Sequence, residues 1–273
     1  TVCGENRQET VTTYETDDFG RKTKKTTVTR KQQDGAWLPP YEMQKLFIYD
    51  DNGNVSQTET KSRKDGQAEW KTHTVKTDYD GQGHAIREYT PRGMKEGVAA
   101  KYEYDILGQM IQSEIPQKKG NGGASYQKTT IVYDNIGNVT KKEEQIDSDR
   151  TARTEYTYDN HGNLVMVKNC LEENKAQYVQ YVYDIMGNKV RQFTGMTEPL
   201  TITVSEVSDA ADDADTFSYA GKTYLLTVSG QKKSDDIRET RYEYNGKNQL
   251  TAFTDPEGRR DTYTYDVNSN LTK

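Results

Sequence analysis

Tyrosines alternate with other residues at the ends of several short segments of this chain. Such alternation places both tyrosines of a pair on one face of a strand, because successive side chains of a strand point to opposite faces. Threonine, valine and tyrosine between and around them favour the same structure, since branched and aromatic side chains pack well on a pleated surface. The pattern therefore predicts strands that end in tyrosine. The pairs are Tyr102 and Tyr104, Tyr156 and Tyr158, Tyr181 and Tyr183, Tyr242 and Tyr244, and Tyr263 and Tyr265.

An aspartate follows the last tyrosine of most of these strands, and a glycine lies three residues further on. The aspartate favours a turn, because its side chain can bond backbone N–H groups two residues ahead. Glycine accepts the positive φ that such turns require. We call the set Tyr-Asp-x-x-Gly an anchor, and it predicts a β-hairpin with a loop of four to five residues. The six strict anchors are Tyr49, Asp50, Gly53; Tyr79, Asp80, Gly83; Tyr104, Asp105, Gly108; Tyr133, Asp134, Gly137; Tyr158, Asp159, Gly162; and Tyr183, Asp184, Gly187.

Three further anchors are degenerate. Asp17 with Gly20 follows Thr16 instead of tyrosine, Tyr244-Asn245 has Asn248 in place of glycine, and Tyr265-Asp266 has Ser269. Serine tolerates positive φ poorly, so we expect the loop 266–270 to differ most from the others. Successive anchors lie 33, 30, 25, 29, 25, 25, 61 and 21 residues apart. A recurring unit of this length indicates a repeat architecture.

The 61-residue interval is too long for one repeat and predicts an insertion. Within it, 200–204 and 223–228 have the alternation of strands and flank Asp209, Asp212, Asp213 and Asp215. We expect an inserted β-hairpin whose acidic loop projects from the sheet. The predicted organisation is a repeat array over 1–194, the inserted hairpin over 195–237, and the array continued over 238–273. The acidic loop is either a solvated surface or a Ca²⁺ site, although it lacks the glycine-turned loop of an EF-hand.

The predicted fold class is all-β, an antiparallel meander of repeated hairpins. About nine repeats of two strands give roughly 18 strands, and an open sheet of that width must twist or coil. We therefore expect a curved or spiral β-strip. Equivalent tyrosines of adjacent repeats are expected to stack in rows and to replace a conventional core, since cross-strand aromatic pairs stabilise a sheet.

Composition agrees with a thin sheet that is partly wet on both faces. Hydrophobic residues are only 32% and mean hydropathy is −1.06, yet the 20 tyrosines keep their register with the glycines, which disfavours disorder. A net charge of −6 with interspersed lysine and glutamate disfavours a nucleic-acid surface. No apolar run is long enough for a membrane span, and we expect any signal peptide to lie outside this sequence. The chain begins without methionine, and we expect it to be a piece of a longer protein.

No residue constellation predicts catalysis, a cofactor or a metal site. His73, His84 and His161 are the only histidines, and none has a zinc-ligand spacing with cysteine or with another histidine. Nucleophile-elbow, phosphate-loop and dinucleotide motifs are missing from the sequence. Carboxylates are abundant enough for a glycosidase pair, but the anchor aspartates are explained as turn formers. Cys3 and Cys170 are expected to be free thiols, with a single disulfide as the alternative.

The sequence Tyr-Asp-x-x-Gly-Asn at 133–138, 158–163 and 183–188 resembles the YD-repeat (Rhs) family. The segment 254–259, followed by 262–266, resembles the linked half-repeats of that family, and the resemblance covers about 16–194 and 238–273. It implies a long β-strip wound into a hollow shell, which in toxin members encloses a C-terminal toxic domain. Spacing here is wider and more variable than in the tightest arrays of the family, and neither the core segment that follows the repeats nor a self-cleavage site is recognisable.

Three functions remain open from the sequence. The first is a non-catalytic structural segment of a secreted or cell-surface shell, whose partners are the rest of the parent chain and a toxin cargo. The second is a carbohydrate- or protein-binding module that uses exposed tyrosines, whose rings have an apolar face and a polar tip. The third is a carbohydrate-active enzyme, which requires buried carboxylates in a cleft. Covered tyrosines favour the first function, and tyrosines that line an open groove favour the second.

Overall fold

A computed structural model of the chain describes residues 7–64, 67, 69–117, 125–172, 175–211, 214–219, 221–230 and 237–272. The chain divides into two compact units, Thr1–Thr129 and Thr130–Lys273. Both units consist of antiparallel strands that pair mostly with their neighbours in sequence. The predicted all-β antiparallel meander is confirmed, and the described part of the chain contains one helix of six residues.

The first unit is a single meander in which each anchor loop joins two antiparallel strands. Its strands pair in the order β1, β2, β4, β5, β6, β7, β8 and β9, and the two-residue strand β3 pairs with the end of β2. The strands are β1 (Gln8–Thr16), β2 (Lys22–Gln33), β3 (Ala36–Trp37), β4 (Tyr41–Tyr49), β5 (Val55–Lys64), β6 (Lys71–Tyr79), β7 (Ala85–Tyr89), β8 (Ala100–Tyr104) and β9 (Met110–Gln117).

A short helix, α1 (Pro91–Glu96), connects β7 to β8 and was not predicted. Thr90 caps its start by accepting a hydrogen bond from the backbone N–H of Gly93 at 3.0 Å, and Pro91 fits the first turn because its missing N–H is not needed there. Gly97 ends the helix in the left-handed region with φ +68°. The Thr-Pro start and the glycine stop were present in the sequence, but six residues are too few to show a helical period.

The second unit is also a meander and contains a small separate sheet. Its strands are β11 (Val139–Gln145), β12 (Thr151–Tyr158), β13 (Leu164–Glu172), β14 (Lys175–Tyr183), β15 (Lys189–Met196), β16 (Thr201–Val207), β17 (Thr216–Tyr219), β18 (Lys222–Ser229), β19 (Arg238–Tyr244), β20 (Leu250–Thr254) and β21 (Arg260–Thr262), while β10 (Ser125–Tyr133) lies at the division of the units. β15 pairs directly with β19, so the meander resumes after β16–β18 without a gap.

The long interval between anchors forms a three-stranded sheet rather than the expected hairpin. The two predicted strands are present and pair as β16 and β18, with Ile202 opposite Val228. The third strand, β17, pairs with the other edge of β18, because a turn at Gly221 with φ +77° brings the chain back. The strand order is therefore β16-β18-β17.

This small sheet packs on the meander instead of projecting from it. Leu200 and Leu226 from the small sheet are buried against Val182, Phe193 and Met196 of β14 and β15, and Met196 is only 1% exposed. Apolar side chains on one face of the small sheet explain the docking, since burying them removes them from water. The expectation that tyrosine rows replace a core is thus wrong for this unit, where a compact apolar core exists.

Candidate functional site

The anchor loops are held closed by their aspartate side chains. In the loop 134–138, Asp134 Oδ1 accepts hydrogen bonds from the backbone N–H of Ile136 at 3.0 Å and of Asn138 at 2.9 Å. Asp134 Oδ2 accepts from Asn138 Nδ2 at 3.0 Å, so both carboxylate oxygens are used within the loop. The backbone closes the same turn, with the Asp134 N–H donating to the Asn138 carbonyl at 2.9 Å. The same carboxylate bonds recur at Asp50, Asp159 and Asp184.

The residue four positions after the aspartate varies, yet it contributes the same kind of bond in several loops. Arg21 Nε donates to Asp17 Oδ2 at 2.7 Å, and His84 Nδ1 lies 3.0 Å from Asp80 Oδ2. These side chains replace the asparagine of other repeats and still satisfy the second carboxylate oxygen. The loop is therefore specified by the aspartate and its turn, and it tolerates different donors at its end.

The glycine of every strict anchor has positive φ, between +78° and +94°, which confirms the sequence prediction. Asn248 and Ser269 occupy the same position in the degenerate anchors, with φ +60° and +69°. The Ser269 N–H donates to the Asp266 carbonyl at 3.0 Å, as the glycine N–H does in the strict loops. The expectation that the loop 266–270 differs is therefore wrong, because the Asp266 bonds hold the serine in a backbone region that it rarely adopts.

The anchor tyrosines connect each repeat to the one before it. Tyr183 Oη donates to the backbone carbonyl of Leu164 at 2.9 Å, and Leu164 lies five residues after Asp159, the preceding anchor aspartate. This offset of five is the same in each described case. The other bonds of this kind join Tyr49 to Lys22, Tyr79 to Val55, Tyr104 to Ala85, Tyr158 to Val139, and Tyr265 to Leu250, at 2.8–3.2 Å. Successive repeats are thus joined through tyrosine hydroxyls and backbone carbonyls rather than through the ring stacks that we expected.

Side chains from the preceding loop also cover the anchor tyrosine and glycine. The Arg21 guanidinium lies 4.5 Å from the centroid of the Tyr49 ring, and His84 stacks on Tyr104 with centroids 4.8 Å apart. A Cβ added to Gly108 would lie 2.7 Å from His84 Nε2. The glycine at 108 therefore leaves room for the His84 ring as well as adopting positive φ.

The bonding changes where the meander resumes after the small sheet. Tyr244 makes no bond to the carbonyl of Lys189, the residue at the equivalent offset, and both belong to the described part of the chain. Instead Asn188 Nδ2 donates to Asn248 Oδ1 at 3.1 Å, across 60 residues of sequence. Lys189 Nζ lies 4.6 Å from the ring centroid of Tyr242. Side-chain contacts between loops thus join the repeats on either side of the insertion.

A buried arginine fixes the other edge of the small sheet. The Arg191 side chain on β15 is 4% exposed, and its Nη2 donates to Asp215 Oδ1 at 2.8 Å, next to β17. Glu239 Oε1 on β19 is 3.3 Å from Arg191 Nε and also pairs with Arg241. One arginine thus connects the meander to the insertion, and neither of its acidic partners was singled out for this contact by the sequence. Asp215 was expected in a projecting acidic loop.

The remaining candidates for chemistry lie apart from one another. His73 and His161 are exposed, His84 is half-buried in its loop, and Cys170 is half-buried and forms no disulfide with another described residue. Cys3, Asp212 and Asp213 lie outside the described residues, so the disulfide and calcium alternatives that depend on them stay predictions. Within the described ranges, no three His, Cys, Asp or Glu side chains come together as a metal site would require.

A cleft of about 770 Å³ lies between the free edge of β16 and the adjacent face of the meander in the second unit. Met166, Val182 and Met186 line it from the meander, and Val204 lines it from β16. The carboxylates of Asp159 and Asp184 are part of its lining, but each closes its own loop. Periodicity could not predict this cleft, because it depends on how the insertion docks.

Hydrogen bonding keeps several anchor carboxylates ionised. The backbone N–H of His84 lowers the pKa of Asp80, and the side-chain amide of Asn270 lowers the pKa of Asp266. At Asp134 partial burial raises the pKa, but the N–H and amide donors of Asn138 and Ile136 lower it further, so the net shift is downward. At β8, burial together with the hydrogen bond to Glu88 raises the pKa of Tyr102 to about 12. An ionised carboxylate suits the anchor, since it only accepts hydrogen bonds there.

Comparison with known proteins gives one match to a family model and several to solved structures. Residues 244–273, which contain the two degenerate anchors Tyr244-Asn245 and Tyr265-Asp266, match the RHS repeat. This match supports the resemblance that the strict anchors indicated. No curated protein matches the chain.

Two of the similar solved structures are a crystal structure of TcdB2-TccC3-TEV and the Photorhabdus luminescens Tc holotoxin pore with a TccC3 mutation. Sequence identity is 13% and 14%, TM-score is 0.41 for both, and 95% and 96% of this chain is covered. The chain spans 16% of the length of each of these chains. Separately, no helix among the described residues is long and apolar enough to cross a membrane.

Proposed function

We propose that this chain is a non-catalytic structural segment of a large secreted or cell-surface RHS-repeat protein, in which the repeats form part of a shell around a C-terminal toxin domain. The proposed partners are the rest of the parent chain and that cargo. In this proposal the anchor residues are structural, the array covers 1–194 and 238–273, and 195–237 is an insertion that packs on the array.

The observation that carries the proposal is the tyrosine bond to the preceding repeat. It recurs with one offset in both units, so six of the anchor tyrosines bond to the preceding repeat. A chain built in this way extends by adding repeats, since every unit offers the next one the same carbonyl. Such a design suits a wall that must continue through many repeats.

The use of the anchor groups supports a structural role over a catalytic one. Asp159 and Asp184 have both carboxylate oxygens committed to bonds within their own loops, and the net shift of the Asp159 pKa is downward despite the effect of burial. A retaining or inverting glycosidase needs one carboxylic acid with a raised pKa that can give a proton to the leaving group. A panel of glycosidase substrates tests this directly, and turnover abolished by Asp159→Asn would contradict the proposal.

The tyrosines also disfavour the second hypothesis, a binding module built on exposed anchor rings. The hydroxyls of Tyr158 and Tyr183 are occupied by backbone carbonyls, and neither ring is fully exposed. If a sugar stacked on such a ring, the tyrosine hydroxyl would already be donating its hydrogen bond to the backbone. Carbohydrate binding at the anchors is therefore not part of the proposed function.

The shell proposal is tested on the parent protein by limited proteolysis. We expect the region C-terminal to the repeats to resist trypsin in the intact parent and to be cleaved rapidly once it is expressed alone. Replacing both Tyr158 and Tyr183 with alanine removes two repeat-to-repeat bonds and should make the C-terminal region accessible. The matched control is Tyr244→Ala, which removes a tyrosine without such a bond. Equal cleavage rates for the enclosed and the isolated C-terminal region would overturn the shell proposal.

A further inference from the structure

β16 has one edge without a partner strand among the described residues, because the small sheet has the order β16-β18-β17. An open strand edge presents backbone N–H and C=O groups that another strand can pair with. The question is which groups of β16 lie at that edge and what surrounds them.

One hydrogen bond and the register of the strands fix the direction in which these groups point. The Leu226 N–H on β18 donates to the Asp215 carbonyl at 2.8 Å, towards β17, and Leu226 lies opposite Val204 in the ladder. Backbone groups of directly opposed residues either point at each other or both point away, so those of Val204 point away from β18. Their direction alternates along a strand, and hence Ile202 presents its N–H and C=O at the same free edge.

Leu200, the residue before β16, already has its backbone groups hydrogen-bonded at this edge. The Gln180 side-chain amide on β14 accepts from the Leu200 N–H at 2.6 Å and donates to the Leu200 carbonyl at 3.0 Å. This amide satisfies both backbone groups, as a paired strand would. Further along the same edge, at Ile202 and Val204, no described residue takes that place, and the cleft described above begins.

The cleft continues the interface by which the small sheet is docked. Ile202 packs against the apolar cluster of Val182 and Leu200, whereas Val204 beside it is still 42% exposed. On the meander, Met166 extends the apolar floor past β16, and Met186 is 53% exposed at its rim. A fourth strand beside β16 would bury these side chains and extend the two-layer packing.

The charges around the cleft select its occupant. The lining includes the carboxylates of Asp159 and Asp184 and contains neither lysine nor arginine among the described residues. The chain as a whole carries a net charge of −6. An acidic segment would be repelled, and a segment with cationic residues at its ends would be attracted.

From this geometry we infer that the cleft binds an extended peptide segment of another polypeptide, which adds to the free edge of β16 as a fourth strand. The segment has apolar residues at alternate positions and lysine or arginine at its ends. Main-chain bonds to Ile202 and Val204 supply pairing, and the floor at Met166 takes the inward side chains. This inference does not depend on the shell proposal, since it concerns one edge of the insertion.

The test uses the chain as it is and a labelled peptide, acetyl-Lys-Val-Thr-Val-Thr-Val-Lys-amide, by fluorescence anisotropy at low salt. We expect saturable binding that weakens as salt rises, because exposed charges are screened. A peptide with glutamate at both ends should bind at least about tenfold more weakly. Equal binding of the two peptides would overturn the assignment of a cationic partner.

Hydrogen exchange of the unaltered chain locates the binding. The amides of Ile202 and Val204 should exchange rapidly without peptide, whereas those of Thr203 and Ser205, which face β18, should be protected. Saturating peptide should slow exchange at Ile202 and Val204 by at least about tenfold, in line with the formation of main-chain hydrogen bonds. Protection that appears elsewhere, with these two amides unchanged, would overturn the inference.

Val204→Pro removes the N–H donor and prevents strand pairing at this edge. It should weaken binding of the Lys-flanked peptide by at least about tenfold. Val204→Thr keeps the N–H and the branched side chain, so it should weaken peptide binding less than Val204→Pro does. Unchanged protection of Thr203 and Ser205 in Val204→Pro shows that the small sheet still folds. Sedimentation could instead show that the chain is a dimer and that Val204→Pro makes it a monomer. The edge would then pair with a second copy, and the peptide assignment would be wrong.

Discussion

The hydroxyl of Tyr158 donates a hydrogen bond to the backbone carbonyl of Val139, 3.0 Å away in the preceding repeat. The two residues lie on different hairpins, and the bond links the end of one strand to the start of the returning strand before it. The same relationship, with the same offset from the aspartate, joins other consecutive repeats in each unit.

Tyr158→Phe should therefore lower the free energy of unfolding by about 1 kcal/mol, because it deletes the donor and leaves the Val139 carbonyl without it. Tyr244→Phe is the matched control, since Tyr244 lacks the equivalent bond, and should change stability by less than about 0.5 kcal/mol. Urea denaturation of both variants beside the unaltered chain measures the difference. Equal effects of the two substitutions would contradict a role for the hydroxyl.

Gly108→Ala should destabilise the chain more than Gly162→Ala. Both positions have positive φ, +78° and +82°, so both substitutions incur backbone strain of about 1 kcal/mol. At 108 the added Cβ also lies 2.7 Å from His84 Nε2, whereas at 162 nothing lies within 4 Å. Combining Gly108→Ala with His84→Ala should recover the steric part of the loss. Thermal melts that rank the two single variants equally would show that His84 simply moves aside.

Acid should destabilise the chain as pH falls below about 4. Hydrogen bonds set the folded-state pKa of Asp80 and Asp266 below the ordinary value of 3.8, so the unfolded chain binds protons first. The stabilisation is complete above pH 3.8 and is lost as pH falls towards the lowered values. The midpoint of thermal unfolding at pH 6, 4 and 3 measures this.

A built-in control for the acid effect is the loop at Asn245, where an amide replaces the carboxylate. Asn245 Oδ1 accepts from the N–H of Lys247 and of Gln249 at 2.9 and 3.0 Å, as aspartate does elsewhere. Changing Asp50, Asp80, Asp134 and Asp159 to asparagine should therefore preserve the loop conformation. The thermal unfolding midpoint of this variant should fall less between pH 6 and pH 3. An acid transition as steep as before would assign acid unfolding to carboxylates other than these four.

Arg191→Met should lower the free energy of unfolding by about 2 kcal/mol, because it removes charged hydrogen bonds from a buried position and leaves Glu239 without that partner. The control Arg241→Met removes a more exposed arginine, 46% exposed, from the same group and should cost less than about 1 kcal/mol. The backbone amides of β17 and β18 should exchange faster in Arg191→Met than in the unaltered chain. A small sheet that stays fully protected would show that apolar packing alone holds it.

Alkaline pH should destabilise the chain between about pH 10 and 12. Burial and the bond to Glu88 raise the folded-state pKa of Tyr102 from 10.0 to about 12, so the unfolded chain loses the proton first. The contribution is complete below pH 10 and is lost as pH rises through that range. Unfolding midpoints at pH 9 and 11 should differ more for the unaltered chain than for Tyr102→Phe. Identical differences would exclude Tyr102 as the source.

The order of the strands and the conformation of the loops were predictable from local sequence. Asp134 and Gly137 specify their turn through contacts that span five residues, so the pattern alone predicts the hairpin and the positive φ. Ser269 shows the limit of a residue-by-residue argument, because the bonds to Asp266 impose on serine a conformation that its own preference disfavours. The helix α1 was missed because its caps were visible but its period was not.

Contacts between elements distant in sequence were decided by the tertiary structure. The alternation of Tyr102 and Tyr104 shows which face they share, but not that the hydroxyl of Tyr104 reaches Ala85 in another hairpin. Arg191 and Asp215 appear in the sequence as a strand residue and a loop residue, and they meet only because the insertion folds back on β15.

Period-two alternation and the Tyr-Asp-x-x-Gly spacing thus determined by themselves that this protein is an antiparallel repeat of hairpins, since both are local properties of the backbone. Only the tertiary structure decided that 195–237 packs as a three-stranded sheet with the one sizeable core among the described residues, and that the edge of β16 lies open beside a cleft. The physical reason is that docking buries apolar side chains whose partners lie far away in sequence, and no local pattern encodes which surfaces meet.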